Sequence, residues 1–420
     1  MEQYEVVVVG GGASGLIAAM RAAEWGCRVL LVEKKRQAGT KLRITGKGRC
    51  NLTNAASATI FYKHIYPQPR FLKHAFSRFF SDDIIELLNQ LGVATEEERG
   101  GRVFPSSGKA SDIPEALMGR LNELKVAFRF GSRVEALLSG NDGIEGVIVD
   151  SGKGKEEIKA QSVILCTGGK SYPATGSEGD GYQLARSVGH SVTPPRPALV
   201  PLETKKPIPD KMVDLVLKNV HAVVWCDGKK HAEAFGEMFF TVYGLSGSII
   251  LTLSRTVGEQ INRKKSVQIA IDLKPALDDK KLDNRLLRDI ENGSKKQALT
   301  LFKSWLPSAL IPFFIDHTGM DPGTPAHQIT SGERKRIRKL MKGLVFTIKG
   351  PRSFKEALVT AGGIPTGEIH SQTMESKVLP NLYIAGELLD LDGDTGGYNL
   401  QIAYSTGWLA GDSCGHATGD

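Results

Sequence analysis

The chain lacks most of the features that assign a function at a glance. Its five cysteines (Cys27, Cys50, Cys166, Cys226 and Cys414) are odd in number, scattered and never spaced CxxC, which excludes a disulfide framework and a thiolate metal site and fits reduced thiols. No apolar run reaches the ~20 residues a membrane-spanning helix needs. A strand begins by about residue 4, leaving no room for a signal peptide, so the expectation is a cytoplasmic protein with no membrane partner. There is no internal repeat or low-complexity tract. Aromatics are sparse at 7%. The densest basic run, ERKRIRKLMK at 333–342, has none interleaved, as single-strand nucleic-acid binders need. Its apolar positions Ile337, Leu340 and Met341 fall at helical spacing, so it reads as one solvated helix face rather than an RNA-binding one. Asp390, Asp392 and Asp394 begin like a calcium loop, but the continuation fails, and no metal is expected.

Glycine, by contrast, is abundant. Its 47 residues exceed the usual ~7% share and cluster at 10–15, 39–48, 168–181, 362–367 and 386–397, as where backbone approaches a ligand. With 420 residues and a net charge of +8, the chain is long enough for two or three domains, and its basic balance can attract an anionic cofactor.

YEVVVVG (4–10) is a β-branched apolar run, as in a strand buried on both faces of a parallel sheet. GGGASG follows, then the helical LIAAMRAAEWG and a second strand, CRVLLVEKK. Gly10, Gly12 and Gly15 thus form G-x-G-x-x-G inside a βαβ unit, with Glu33 ending the second strand. Gly10 permits the tight turn, Gly12 lets backbone N–H groups approach a pyrophosphate, and Gly15 lets helix and strand pack closely. The phosphates then sit at a helix N-terminus. Glu33 can accept both ribose hydroxyls, and its carboxylate repels a 2′-phosphate.

That fingerprint does not separate FAD from NAD. The later segments CTGGKSYPATGSEGDGYQLARSVGH (166–190) and LPNLYIAGELLDLDGDTGGYNLQIAYSTGWLAG (379–411) do. In the second, a strand ends at Gly386-Glu387 and a glycine pair precedes a helix starting near Tyr398. A helix N-terminus aimed at a flavin stabilises negative charge on the reduced ring. Gly176, Gly179 and Gly181 have other spacing, so no separate nicotinamide domain is expected. GTKLRITGKGRCNLTN (39–54) nearly spells a triphosphate loop, but six residues separate Gly39 from Gly46 and Gly48 stands where a magnesium-binding hydroxyl belongs.

Further elements follow the usual cues. Helices are expected over 82–92 and 111–124, the latter capped by Ser111 or Asp112 with Pro114 in its first turn. VAFRFGSRVEALLS, IEGVIVD and SVILCTGG read as strands. Prolines gather at PPRPALVPL (194–202), marking a boundary near 195. Alternation at 220–226, 237–243 and 267–273 suggests an antiparallel sheet or small barrel, and 278–343 reads as mostly helical. The expected architecture is α/β: a discontinuous Rossmann-like domain (1–194 and 351–420) interrupted by a β-rich insert (195–277 and 344–350) and a helical one (278–343).

GGGASG, TGKGRCNLTN, GRVFPSSGKASD, TGGKSYPATGSEGDGY, GEMFFTVYGLSG, AGGIPTGEI and GELLDLDGDTGGYNLQIAYSTG together resemble the BaiN/YhiN-like family of FAD-dependent oxidoreductases, in order from residue 4 to 411. More distantly, the TGG and AGE segments resemble fumarate reductase flavoprotein subunits. The resemblance implies an FAD domain interrupted by barrel-like and helical segments, non-covalent FAD, and enzymes acting as aminoacetone oxidases or bile-acid-type enone reductases. It implies that Gly10, Gly12, Ala13, Ser14 and Gly15 line the pyrophosphate and that Glu33 and Lys34 flank the ribose. Lys41 reaches a phosphate, Val134 meets adenine through its backbone, and Thr167 and Gly168 close over the adenosine half. Gly386 and Glu387 follow the ribityl chain. Gly397, Tyr398, Asn399 and Leu400 present N–H groups to the flavin, and Gly48, Arg49, Cys50 and Asn51 pass its N5 edge.

A flavin brings its own redox capacity, so a missing triad or metal does not argue against an enzyme. Candidates for the substrate face are Tyr172, Tyr243, Ser246, Arg352 and Lys47, with Tyr172 alternatively only ordering its loop; Cys50 is a further catalytic candidate that could be redox-active or, having no CxxC partner, serve packing or tuning. Arg352 could clamp a carboxylate or form a surface ion pair, and Tyr243 and Ser246 could line a pocket or form a capping turn. The expected activity is hydride transfer between flavin N5 and a small organic substrate, with NAD(P)H as a possible donor. Two alternatives stand: a flavin-dependent RNA-modifying enzyme and a non-catalytic flavin protein. Oligomeric state is not legible.

Overall fold

A computed structural model describes residues 2–419. The chain divides into two compact units, one of residues up to Pro197 with those from Phe354 onward, the other Ala198–Ser353.

The first unit is built on the expected βαβ start. Strand β1 (Glu2–Val9) leads through the glycine turn into helix α1 (Ala13–Glu24), and strand β2 (Val29–Glu33) follows. β1 pairs in parallel with β2 on one side and with strand Lys155–Leu165 on the other, Val7 facing Leu30 and Val163. Being central, β1 carries no solvent face, and Val6, Val7 and Val8 are fully buried. β2 continues to strand Ala127–Phe130. Lys155–Leu165 takes strand Leu382–Ile384 in parallel and Gly143–Asp150 antiparallel. The stretch read as one strand, VAFRFGSRVEALLS, is two: Ala127–Phe130 and Arg133–Gly140. Gly131 between them takes φ +64°, a left-handed turn that sends the chain from a parallel partner to an antiparallel one.

The helix Tyr398–Gly419 lies along α1. Close packing needs glycine here, since a Cβ on Gly407 would come 2.3 Å from the Ser14 carbonyl oxygen and one on Gly411 2.4 Å from that of Ala18.

The second unit contains a closed six-stranded barrel, in order Leu202–Thr204, Gly244–Ser246, Lys229–Thr241, Val216–Cys226, Val267–Asp272 and Leu344–Pro351. Helices Asp279–Asn292, Ala298–Trp305, Ile311–Thr318 and Ser331–Lys342 fill the stretch before the last strand. Barrel residues Val224, Phe240 and Ile269 share one core with Leu286, Phe302, Phe314 and Ile337 of these helices. Among the described residues no helix is long and apolar enough to cross a membrane.

Candidate functional site

The glycine turn after β1 forms an open cradle. Gly10 takes φ +103°, and a Cβ on it would strike the Cys166 carbonyl oxygen at 2.5 Å. A Cβ on Gly15 would sit 1.8 Å from the Gly10 carbonyl oxygen, so the helix presses on the strand end. Gly12 is different: a Cβ there meets nothing within 4 Å. It is also the N-cap of α1, which has no side-chain cap and no acidic residue in its first turn. With no side-chain cap and open space beside Gly12, the N–H groups of that turn favour an anion. Beside them, Glu33 accepts the Gly11 N–H at Oε2 and the Lys35 N–H at Oε1, both at 2.7 Å. Thr167, at the end of the neighbouring strand, has a buried Oγ1 with no hydrogen-bond partner. An uncapped helix start, a fixed carboxylate at the end of β2 and an orphaned hydroxyl suit the pyrophosphate and ribose of a dinucleotide, and the residues present fit FAD.

One further segment meets this turn, and two others meet each other. A Cβ on Gly386 would lie 2.5 Å from Ser14 Oγ, so the Gly386-Glu387 turn abuts the cradle. The start of the C-terminal helix meets the LTN stretch: a Cβ on Gly397 would be 2.3 Å from the Thr53 carbonyl oxygen, and Asn54 donates its amide to the Gly396 carbonyl at 2.9 Å. With its amide turned to match its neighbours, Asn51 accepts the Gly397 N–H at 3.1 Å and donates to the Thr53 carbonyl at 3.0 Å. Tyr398 and Leu400 lie in the first turn of that helix, and Asn399 Oδ1 accepts the Gly393 N–H at 2.8 Å. Upstream, Gly46, Lys47, Gly48 and Cys50 all adopt positive φ, between 57° and 86°. This folds the loop tightly, with the Arg49 and Cys50 N–H groups donating back to the Gly46 and Thr45 carbonyls at 3.3 and 2.9 Å.

Several charged side chains have protein partners. Lys34 pairs with Glu178 and Asp180 at 3.0 and 2.7 Å. Lys41 donates to Ser171 Oγ at 2.5 Å and pairs with Glu387 Oε2 at 2.8 Å. The other oxygen of Glu387 accepts Ser171 O–H and Thr360 N–H, at 2.7 and 2.8 Å. This network ties the GTK, TGGKS and AGE segments together. Arg49 turns to Glu98 at 2.5 Å and stacks over Phe104. Val134 is buried at the start of its strand, opposite Val149. Gly168 is left-handed, at φ +71°. Burial pushes the Cys50 thiol up to about 12; with no exposed surface, it is a packed thiol rather than a thiolate nucleophile. Lys47 is exposed.

Tyr243, Ser246 and Arg352 belong to the second unit. Arg352 lies over the Tyr243 ring, 3.9 Å from its centroid, and faces Glu203 at 3.6 Å, while Lys349 pairs with the same carboxylate at 2.7 Å. Ser246 is a buried strand residue opposite Phe239, and Gly247 stands at the N-cap of the helix that follows. Tyr243 is half exposed in a turn held by Thr241 Oγ1, which accepts the N–H groups of residues 243 and 244. Tyr172 takes φ +51° and donates its N–H to the Phe354 carbonyl at 3.0 Å.

One group went unread in the sequence. His64 stacks on Tyr398, and its Nδ1 lies 2.8 Å from Asp394 Oδ2. The histidine is separated from its carboxylate by 330 positions, and the only local signal was the acidic DLDGD stretch just before the helix.

A family model described as the HI0933-like protein Rossmann domain matches residues 4–413. The chain is 34% identical over 406 residues to a 3-dehydro-bile acid delta(4,6)-reductase of Clostridium scindens, covering 96% of this chain and 97% of that one. It is 30% identical to a ribosomal RNA dihydrouridine synthase of Escherichia coli, covering 97% of each. Among solved structures, a flavocytochrome c3 fumarate reductase aligns over the whole chain and 79% of its own length, with TM-score 0.50 and 19% identity. That similarity is one of fold.

Proposed function

The chain belongs to the HI0933-like Rossmann family, and from that premise we propose that it is an FAD-dependent oxidoreductase working as a reductase of a carbon–carbon double bond conjugated to a carbonyl. The observation that carries the flavin reading is a pair of glycine-led helix starts on two helices that pack along each other. The uncapped turn of α1 borders Gly386 through Ser14, the Gly396-Gly397 start of the C-terminal helix borders residues 53–54, and Thr406 of that helix accepts the Gly386 N–H at 3.0 Å. The first suits the pyrophosphate, and the second suits the ring edge that becomes negative on reduction. The reaction class is supported by the two full-length relatives, whose names both denote hydrogen added across a carbon–carbon double bond.

When bound, FAD supplies the hydride. The chain's residues hold and surround it: Gly10, Gly12, Ala13, Ser14 and Gly15 take the pyrophosphate, Glu33 the ribose, Thr167 and Gly168 the adenosine half, and Gly397–Leu400 with Asn51 the ring. The Lys41–Glu387–Ser171 network fixes the wall along the ribityl chain. NAD(P)H, in this reading, reduces the flavin directly, since no second dinucleotide fingerprint follows a strand.

Anaerobic spectroscopy tests this. NADH or NADPH bleaches the yellow protein, and 2-cyclohexen-1-one then restores the colour. A reduced protein reoxidised by oxygen but never by an enone would sink the reductase reading. A second reading, in which the conjugated ring is a base within RNA, is favoured by one observation. The second unit carries 26 Lys and Arg against 16 Asp and Glu, a balance of +10, whereas the first carries 28 against 30, a balance of −2.

A further inference from the structure

A histidine at the end of the Tyr62–His64 turn is held in a defined posture against the start of the C-terminal helix. Strands Ile65–Tyr66 and Asp392–Gly393 pair antiparallel, with Ile65 opposite Gly393. The Asp394 N–H donates to the His64 carbonyl at 2.9 Å. Asn399 gives its amide to the carbonyls of Gly393 and Asp394 at 2.8 and 3.2 Å. The backbone on both sides of the His64–Asp394 pair is therefore fixed to the helix whose first turn is proposed to face the flavin. The imidazole lies against Tyr398 with centroids 4.7 Å apart and planes 19° apart. Nδ1 faces the carboxylate at 2.8 Å, so Nδ1 carries a proton and donates it to Asp394. The Asp394 side chain is 14% exposed and that of His64 38%. The dyad is thus sheltered on its acid side and open on the other, and Nε2 makes no hydrogen bond among the described residues.

We infer that His64, positioned by Asp394, is the general acid of the reduction. This rests on the proposed saturation of a carbonyl-conjugated double bond. In that reaction the π bond breaks, the β carbon gains the hydride that the bound cofactor supplies, and the α carbon must gain a proton. The proton leaves Nε2 of the imidazolium and is regained from water at the exposed edge of the ring. The electron pair comes ultimately from NAD(P)H, or from dithionite in the test below. Asp394 keeps Nδ1–H in place through both protonation states and offsets the charge of the imidazolium, the role a carboxylate plays behind any catalytic histidine. The groups that face the imidazole are Asp394, from the loop before the helix, and Tyr398, from the helix itself.

The test uses the flavin-loaded full chain and the variants His64→Gln and Asp394→Asn, reduced anaerobically with dithionite and mixed with 2-cyclohexen-1-one. The expected result is equal flavin content and equal bleaching in all three. Reoxidation by the enone slows ~100-fold or more in His64→Gln, in the range general acids contribute, and added imidazole restores part of it. Spectra of 15N-histidine protein show the Nδ1–H form for His64 in the parent and its loss in Asp394→Asn, a readout that needs no turnover. Equal reoxidation rates for the parent and His64→Gln overturn the acid assignment alone. So does loss of flavin in His64→Gln, which makes the pair a clamp on the helix start. A parent protein that no enone reoxidises, with the Nδ1–H signal intact, overturns the reductase reading and the acid role with it.

Discussion

Two glycines three positions apart do opposite kinds of work, and their substitutions separate folding from cofactor binding. A Cβ on Gly15 would overlap the Gly10 carbonyl oxygen at 1.8 Å, and backbone cannot yield as a flexible side chain can. Gly15→Ala should therefore cost about 1–3 kcal/mol of stability, as overpacking does. Gly12 has φ −83° and open space around its missing Cβ. Gly12→Glu should fold normally, melt within about a degree or two of the flavin-free parent and lose its flavin, because the new carboxylate stands where the pyrophosphate binds. Thermal melts paired with flavin absorbance decide the matter, and full flavin occupancy in Gly12→Glu would displace the pyrophosphate from this turn. The distinction also shows why some residues are readable in a sequence. Gly10, Gly12 and Gly15 act through local backbone geometry, so six adjacent letters carry their meaning. Lys41 acts through Glu387, 346 positions away, and His64 through Asp394, 330 away. No local pattern announces either pairing, and the phosphate role expected of Lys41 came from the family resemblance rather than from its neighbours in the sequence.

Elements whose pattern repeats along one strand or helix were legible; those defined by a single bend were not. Alternation exposed three of the barrel strands, at 220–226, 237–243 and 267–273, because each has one face in a shared core. The break at Gly131 rests on one glycine in a run that is otherwise continuous in β-forming residues, so the run read as one strand. A subtler case follows the helix Asp180–Ser187. There His190 Nδ1 lies 2.7 Å from Glu368 and its Nε2 2.8 Å from Ser376 Oγ. The line of serine, histidine and glutamate imitates a hydrolytic triad. Its serine, however, is buried, and its Oγ accepts the N–H groups of Val378 and Leu379 at 2.9 and 3.0 Å. The nucleophile's lone pairs are taken and no substrate can reach it, so the group is a clamp between the 190 and 376 segments. Its charge makes the clamp sensitive to acid. Burial alone would raise the Glu368 carboxyl, but the hydrogen bonds from Ser191 and His190 outweigh it and hold the group below its ordinary value. A carboxylate lowered in this way contributes stability that is complete above the ordinary glutamate value of about 4.3 and is lost as pH falls through the lowered one. Glu368→Gln should melt lower than the parent near pH 7 and lose less on acidification towards pH 3. Parallel melting curves for the two proteins across that window would remove the clamp from the stability of the fold.

At the scale of the whole chain, the formal charge of +8 conceals a division that only the boundary between units reveals, +10 on Ala198–Ser353 and −2 on the remainder. The basic helix Ser331–Lys342 accounts for part of it. Arg334 and Arg338 are paired with Asp279 and Asp283 of the neighbouring helix, which agrees with a solvated, ion-paired face. Lys335 and Lys339 are exposed. Ion pairs of this kind neutralise locally, yet the surplus of ten positive charges remains on one unit, and a polyanion would respond to it. Salt separates the two substrate readings because each phosphate neutralised by a basic side chain releases counterions, so binding weakens steeply as salt rises, by about 0.9 log units per contact for each decade of salt on a duplex. If the conjugated ring arrives as a small molecule, reoxidation of the reduced protein by 2-cyclohexen-1-one should change less than twofold between 50 and 300 mM salt, and the double substitution Lys335→Glu with Lys339→Glu should leave that rate untouched. If the ring is presented by RNA, the parent should retain ribosomal RNA on a filter at 50 mM salt and release it by 300 mM, and the charge-reversed variant should bind more weakly with a shallower salt slope. Retention of flavin and enone turnover together with an absence of RNA binding at low salt would assign the positive unit to solubility alone and leave the small conjugated carbonyl as the substrate.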